Sequence, residues 1–199
     1  MTYAGKPLMS YGFIELPNDL PLKIYRKENF SSTNHLRIYI ESDGANWLFQ
    51  TFPPSSPTPN RAFSASLAAQ DNSSHISYIS RPCQFINPKV SIPCPSDFWQ
   101  KGRFSHDAIQ IVSDAIDVLK FKLGVAPATS TELIGYSGGG VMATLLAAKR
   151  TDVACLVTIA APLDLDTWTR LHQVASLDHS IKLPQLSLVE KSRLQTISQ

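Results

Sequence analysis

Residues 131–150 read TELIGYSGGGVMATLLAAKR: an apolar run, one serine set among glycines, then a helix-forming run. Gly135, Tyr136, Ser137, Gly138 and Gly139 satisfy G-x-S-x-G, and the motif lies where its mechanism needs it, between a strand and a helix. A serine presented at such a turn occupies a strained backbone position, so the residues two places either side must lack bulk. Gly135 and Gly139 meet that need. Gly140, Ala143, Ala147 and Ala148 extend it, because small residues let the following helix lie close on a sheet. The helix N-terminus directs dipole and free amides at Ser137, with the Gly138 amide as the expected first donor to an oxyanion.

Two other readings compete for these glycines. The run Gly138–Ala143 fits G-x-G-x-x-A, with Asp164 about twenty residues beyond, as a dinucleotide fingerprint would have it. That register starts three residues past Gly135 and leaves Ser137 without a purpose. A P-loop is excluded because no Lys-Ser or Lys-Thr follows. A plain glycine turn with a chance serine is the remaining reading.

The surrounding chain alternates. LKIYRK and HLRIYIES are short, β-branched and aromatic, and predict strands that could form a hairpin. PPSSPTPNR, with four prolines in nine residues, predicts an extended loop. AFSASLAAQ predicts a helix stopped by DNSS, and HISYIS a further strand. Ser105 is the expected N-cap of a helix through HDAIQIVSDAIDVLKFKLG. That helix has Phe104, Ala108, Ile111, Ala115 and Leu119 on one stripe, and is closed by Gly124 and Pro127. The unbroken apolar run VACLVTIA predicts a strand buried on both faces of a parallel sheet, with Cys155 a buried thiol. Alternation of this kind is the α/β class, a mainly parallel sheet with helices on both faces and right-handed crossovers, in one domain over residues 1–199.

Composition narrows the partners. With 199 residues, 43% of them hydrophobic and 17% charged, the chain is of a size for one cored domain. A formal charge of +2 from 18 basic and 16 acidic residues spread along the chain gives no footprint for nucleic acid. No apolar run reaches the roughly 18 residues of a membrane span, and the start has no charged n-region followed by an apolar h-region. The expected address is therefore cytoplasmic as written, or exported if a leader is missing. Cys83, Cys94 and Cys155 fit no zinc or C-x-x-C spacing, and no metal or cofactor is expected. A local Cys83–Cys94 disulfide in RPCQFINPKVSIPC is sterically possible in an oxidising compartment.

Taken together, YIESDGANW, SPTP, RPCQ, the later Cys94 and Trp99, RFS, GYSGGG, RTDVACLVTIA and LDLDTWTRLH resemble the α/β-hydrolase fold, and more narrowly a bacterial group of hydrolase-fold proteins of unassigned substrate. The resemblance runs from about residue 36 to 172. It implies that RIYIES ends at an oxyanion loop, with a second donor amide near Gly44 or Ala45. Ser42 stands where the group carries a glycine, and Asp43 is either part of that loop's function or a turn residue with Gly44. Members of the group often carry an export leader, which favours the Cys83–Cys94 pairing.

The triad order of this fold puts an acid and then a histidine after Ser137, which leaves His172 and His179 as bases. Asp164 is the candidate acid and His172 the candidate base, each with a structural alternative as a cap or brace of its loop. Beyond residue 180 the chain offers a helix-like tail and no further strand, so the resemblance implies a domain truncated before its last two strands, leaving VACLVTIA as an edge open to self-association. The leading expectation is a serine hydrolase acting on an ester or related acyl bond of a small molecule. A non-catalytic fragment and a dinucleotide-binding module are the alternatives.

Overall fold

The computed structural model describes the strand segments among residues 2–14 and residues 22–26, 35–44, 54–73, 75–86 and 94–197. The chain runs β1 (Thr2–Tyr3), β2 (Lys6–Pro7), β3 (Ser10–Ile14), β4 (Leu22–Arg26), β5 (His35–Ile40), α1 (Phe63–Gln70), β6 (Ile76–Ile79), α2 (His106–Lys122), β7 (Ser130–Tyr136), α3 (Gly138–Lys149), β8 (Val153–Ile159), α4 (Leu165–Leu171) and α5 (Leu188–Ile197). β1 and β2 pair by themselves, and the other six strands form one sheet in the order β3-β4-β6-β5-β7-β8. β6, β5, β7 and β8 are parallel, while β3 and β4 are antiparallel additions at one side.

This order overturns the expected hairpin. LKIYRK and HLRIYIES are indeed strands β4 and β5, but β6 lies between them, antiparallel to the first and parallel to the second. The connection through α1 returns β6 beside β5, and the pleat explains why the pairing holds. Leu36, Ile38 and Ile40 of β5 with Ile79 of β6 point into one apolar cluster, while Tyr39, Ile76 and Tyr78 point into the other. Strands β1 to β3, in the first fourteen residues, carry no pattern that the sequence reading used.

Helices cover both faces. Ala65 and Ala68 of α1 pack on the Tyr39, Tyr78 and Ile134 face, while α2 and α3 pack on the other. Ser105 caps α2 by accepting from the Ala108 amide at 3.2 Å, and Gly124 beyond its end takes φ 66°. The expected stripe of Phe104, Ala108, Ile111, Ala115 and Leu119 is buried. At about 1.5–3 kcal/mol for each large aliphatic side chain removed from water, it docks the helix firmly. α3 is buried along nearly its whole length, Gly138 through Ala148. Arg193 of α5 closes its far end by donating to the Ala148 and Lys149 carbonyls at 3.2 and 2.8 Å.

β8 departs from expectation. Among the described residues it pairs only with β7, as the last strand of the sheet, and it is not buried on both faces: Ala154, Val157 and Thr158 are exposed, Val157 at 40%. An unbroken apolar run predicts double burial only where both faces are covered and a further strand pairs alongside; here α3 and α5 contact β8, and no further strand among the described residues pairs with it. Cys155 is for the same reason half-buried and free rather than a core thiol. Among the described residues no helix is long and apolar enough to cross a membrane.

Candidate functional site

β7 ends at Tyr136, α3 starts at Gly138, and the single residue between them, Ser137, takes φ 53° and ψ −124°. A side chain at positive φ is strained, and it persists only where its surroundings hold it. They do here. The Ser137 amide donates to the Ile159 carbonyl at 2.8 Å, and its carbonyl accepts from Gly140 at 2.9 Å. Its side chain does not cap the helix.

The flanking glycines are demanded by space. A Cβ on Gly135 would lie 2.2 Å from the Gly139 oxygen, and one on Gly139 would lie 2.4 Å from the Ile40 oxygen and 2.6 Å from that of Glu41. A Cβ on Gly140 would meet that of Ala161 at 2.6 Å. The first turn of α3 is thus pressed against the C-terminal end of β5, and the glycine positions are already filled by protein. In the dinucleotide register Gly138–Ala143 lies wholly inside α3 rather than in a turn before it.

The loop after β5 faces the same helix end. Gly44 takes φ 72°, and a Cβ there would lie 2.0 Å from the Pro57 oxygen, so glycine is required on both counts. Ser42 is not among the positive-φ residues, so its backbone does not call for glycine. Ala45 lies outside the described residues. Glu41 is fully buried, and its carboxylate accepts from the Ser42 amide at 2.8 Å, the Ser64 amide at 3.4 Å and the Tyr78 hydroxyl at 3.1 Å.

Asp43 is more than a turn residue. Its carboxylate reaches to 2.1 Å of the place a Gly138 Cβ would take, and it accepts from Arg81 at 2.7 Å and Arg103 at 3.3 Å. Both arginines are buried, at 3% and 1% exposure. A lone carboxylate beside Ser137 would oppose any negative charge forming there. Two guanidiniums instead pair with this carboxylate and offset its charge. Burial lowers the Arg81 pKa from its ordinary value and Asp43 works against that, while a guanidinium remains protonated throughout.

The sequence pieces that carried the resemblance meet around this loop. Cys83 and Cys94 are disulfide-bonded, with Cα atoms 5.9 Å apart. Trp99 donates its indole N–H to the Pro54 carbonyl at 3.1 Å, and the Phe85 amide donates to Thr58 Oγ1 at 2.8 Å. Arg81 stacks 4.9 Å over the Phe104 ring. Arg81, Gln84 and Arg103 had no assigned role in the sequence reading. RPCQ and RFS were visible there as strings, but nothing in a string says that their side chains converge on Asp43.

The acid and base candidates are engaged otherwise. Asp164 is the N-cap of α4, accepting from the Thr167 amide at 2.9 Å, and that bond holds its pKa below the ordinary carboxylate value. His172 ends the same helix, exposed, with its ring 4.9 Å from that of Trp168. His179 pairs with Asp97 at 3.0 Å. Among the described residues no hydrogen bond joins Ser137 to either histidine.

No family model and no curated protein matches the chain. Among solved structures it is similar to a hypothetical protein of Pseudomonas aeruginosa, at 14% identity and TM-score 0.54, over 98% of this chain and 53% of that one. Est1E from Butyrivibrio proteoclasticus, at 15% identity and TM-score 0.49, matches over 80% of this chain and 54% of its own. A proline iminopeptidase of Mycobacterium smegmatis, at 16% identity and TM-score 0.49, matches over 81% and 47%. The chain spans about half the length of these structures. With two antiparallel strands leading into a parallel sheet ordered β6-β5-β7-β8, helices on both faces and a strand–serine–helix turn after β7, the chain has the α/β-hydrolase fold.

Proposed function

We propose that the chain carries the nucleophile half of a serine hydrolase site, in which Ser137 Oγ attacks the carbonyl of an ester or related acyl bond of a small molecule. The observation that carries this reading is the backbone of Ser137, a non-glycine residue held at φ 53° between a strand and a helix whose glycines leave no room for a side chain. Strain of that kind lifts a hydroxyl clear of the sheet and aims it at incoming substrate. The Gly138 amide, at the start of α3, supports one donor for the developing oxyanion, and the loop at Gly44 and Ala45 the second. The pairing of Asp43 with Arg81 and Arg103 offsets a negative charge that would oppose that oxyanion. Asp164 and His172 are the acid and base this chain can offer after Ser137. No step in this reading calls for a metal or cofactor.

Two observations favour a second reading, a non-catalytic hydrolase-fold chain or one completed by further strands: Asp164 is spent on capping α4, and His172 lies against Trp168. Without a base, a serine of this kind keeps at most about 10³ to 10⁴ of rate enhancement from binding and the oxyanion site. Intact-mass analysis after a fluorophosphonate probe separates the two. A single adduct, absent in Ser137→Ala and slowed in His172→Ala, supports the hydrolase. Folded protein that takes no adduct sinks it.

A further inference from the structure

Two of the residues that reach the 41–44 loop from outside it, Arg81 and Gln84, lie on one short segment. Arg81 donates to Asp43 at 2.7 Å, to the Gly138 carbonyl at 3.3 Å and to the Arg103 carbonyl, so that one guanidinium spans the loop, the start of α3 and the approach to α2. Gln84, fully buried, uses one amide group on both neighbours: its nitrogen donates to the Ser42 carbonyl at 2.8 Å and the Pro57 carbonyl at 3.4 Å, and its oxygen accepts from the Arg81 amide at 3.0 Å. The segment from Arg81 to Phe85 is folded tightly, with Cys83 at φ 68° and Phe85 at φ 61°, both outside the conformations side chains prefer. Such a turn needs an external constraint, and the Cys83–Cys94 bond supplies one.

We infer that Arg81 and Gln84, on the turn closed by the Cys83–Cys94 disulfide, are positioning residues that set the 41–44 loop against Gly138 and make the oxyanion side of the Ser137 site dependent on that disulfide. The inference rests on the serine hydrolase reading for its catalytic meaning. Its structural content is independent of it. Arginine suits 81 because its planar fork donates from two separate nitrogens, one to Asp43 and the Gly138 carbonyl and the other to the Arg103 carbonyl, whereas an ammonium must serve all its acceptors from a single atom. Glutamine is needed at 84 because two carbonyls require a donor there, and a carboxylate of the same shape would repel both.

The test compares the full chain with Gln84→Glu and Arg81→Lys, and the oxidised wild type with the same protein reduced under native conditions, by amide hydrogen exchange and by fluorophosphonate labelling. Exchange at residues 42–44 is expected to rise about five- to thirtyfold in both variants and on reduction, the scale of one or two lost buried hydrogen bonds, while β5 and β7 exchange at the wild-type rate. The maximal labelling rate of Ser137 is expected to fall with the half-saturating probe concentration unchanged, a split that loosened packing elsewhere would not produce. Exchange at 42–44 that stays at the wild-type rate in either variant or in the reduced protein overturns the inference. So does a rise spread evenly through α2 and β6. If the wild type takes no adduct, the hydrolase reading fails while the exchange result still decides the positioning role. If a variant does not fold, the oxidised and reduced wild type carry the same decision.

Discussion

Replacing Gly139 with alanine tests how tightly the serine turn is built. Alanine is favoured over glycine within a helix by at most about 1 kcal/mol, so on local grounds the change should stabilise α3. The new Cβ would however sit 2.4 Å from the Ile40 oxygen and 2.6 Å from the Glu41 oxygen, about 1 Å inside ordinary contact. Both obstacles are backbone, fixed at the end of β5, and no rotamer can relieve them. Overpacking costs about 1–3 kcal/mol, and rigid opposing atoms put this site at the upper end, for a net loss of about 2 kcal/mol. At an m-value of about 2 kcal/mol/M, the urea midpoint should fall by about 1 M. Gly124→Ala is the reference: Gly124, unlike Gly139, sits at positive φ, 66°, and has no atom within 4 Å of the added Cβ, so the variant should lose only the roughly 1 kcal/mol of left-handed strain. A Gly139→Ala midpoint at or above wild type, or above that of Gly124→Ala, would refute the close approach of α3 to β5.

Acid should weaken the fold through three carboxylates. Burial opposes ionisation at Asp71, Glu132 and Asp152, but hydrogen bonds from Arg37 to the first two, and from Arg150 and Lys120 to the third, hold all three pKa values below the ordinary range. In the unfolded chain they take up protons near pH 4, above their folded values, so their contribution is present in full above about pH 5 and is lost as pH falls through and below that point. Urea midpoints measured from pH 6 down to 3 should fall, and Asp152→Asn should flatten the curve; an unchanged slope would remove Asp152 from the account. At the sheet edge, Val157→Lys should abolish any concentration-dependent association seen by sedimentation velocity, since a charge on an exposed edge strand blocks strand pairing. Association that survives the lysine would place the contact elsewhere.

The parts of the molecule that follow from local periodicity were legible before the structure. α2 was marked by its cap, its stripe and its terminal glycine, and the turn at Ser137 by glycines set between a strand-like and a helix-like run. Pairing partners were not. β4 and β5 are adjacent in the chain, and only the crossover through α1, a tertiary matter, inserts β6 between them. Burial at the edge failed for a related reason: VACLVTIA has the composition of a central strand and the position of a terminal one. Lys120 shows the limit for charged residues. In the sequence it is a helix-end cation, yet it is 1% exposed, donating to the Pro127 and Thr129 carbonyls at 3.0 and 2.6 Å and to Asp152. The convergence of Arg81 and Arg103 on Asp43 joins residues 38 and 60 positions apart, which no window can see.

The tie between the Ser137 amide and the Ile159 carbonyl fastens the backbone of the serine turn to β8, which among the described residues ends the sheet. A terminal strand is held along one side only, and its end is where a sheet opens first. Each opening of the last residues of β8 therefore releases one of the bonds that keep Ser137 in its strained conformation, and a chain laid along that margin would slow the release. The conformation of Ser137 is in this way coupled to the occupancy of a border at the other end of that bond.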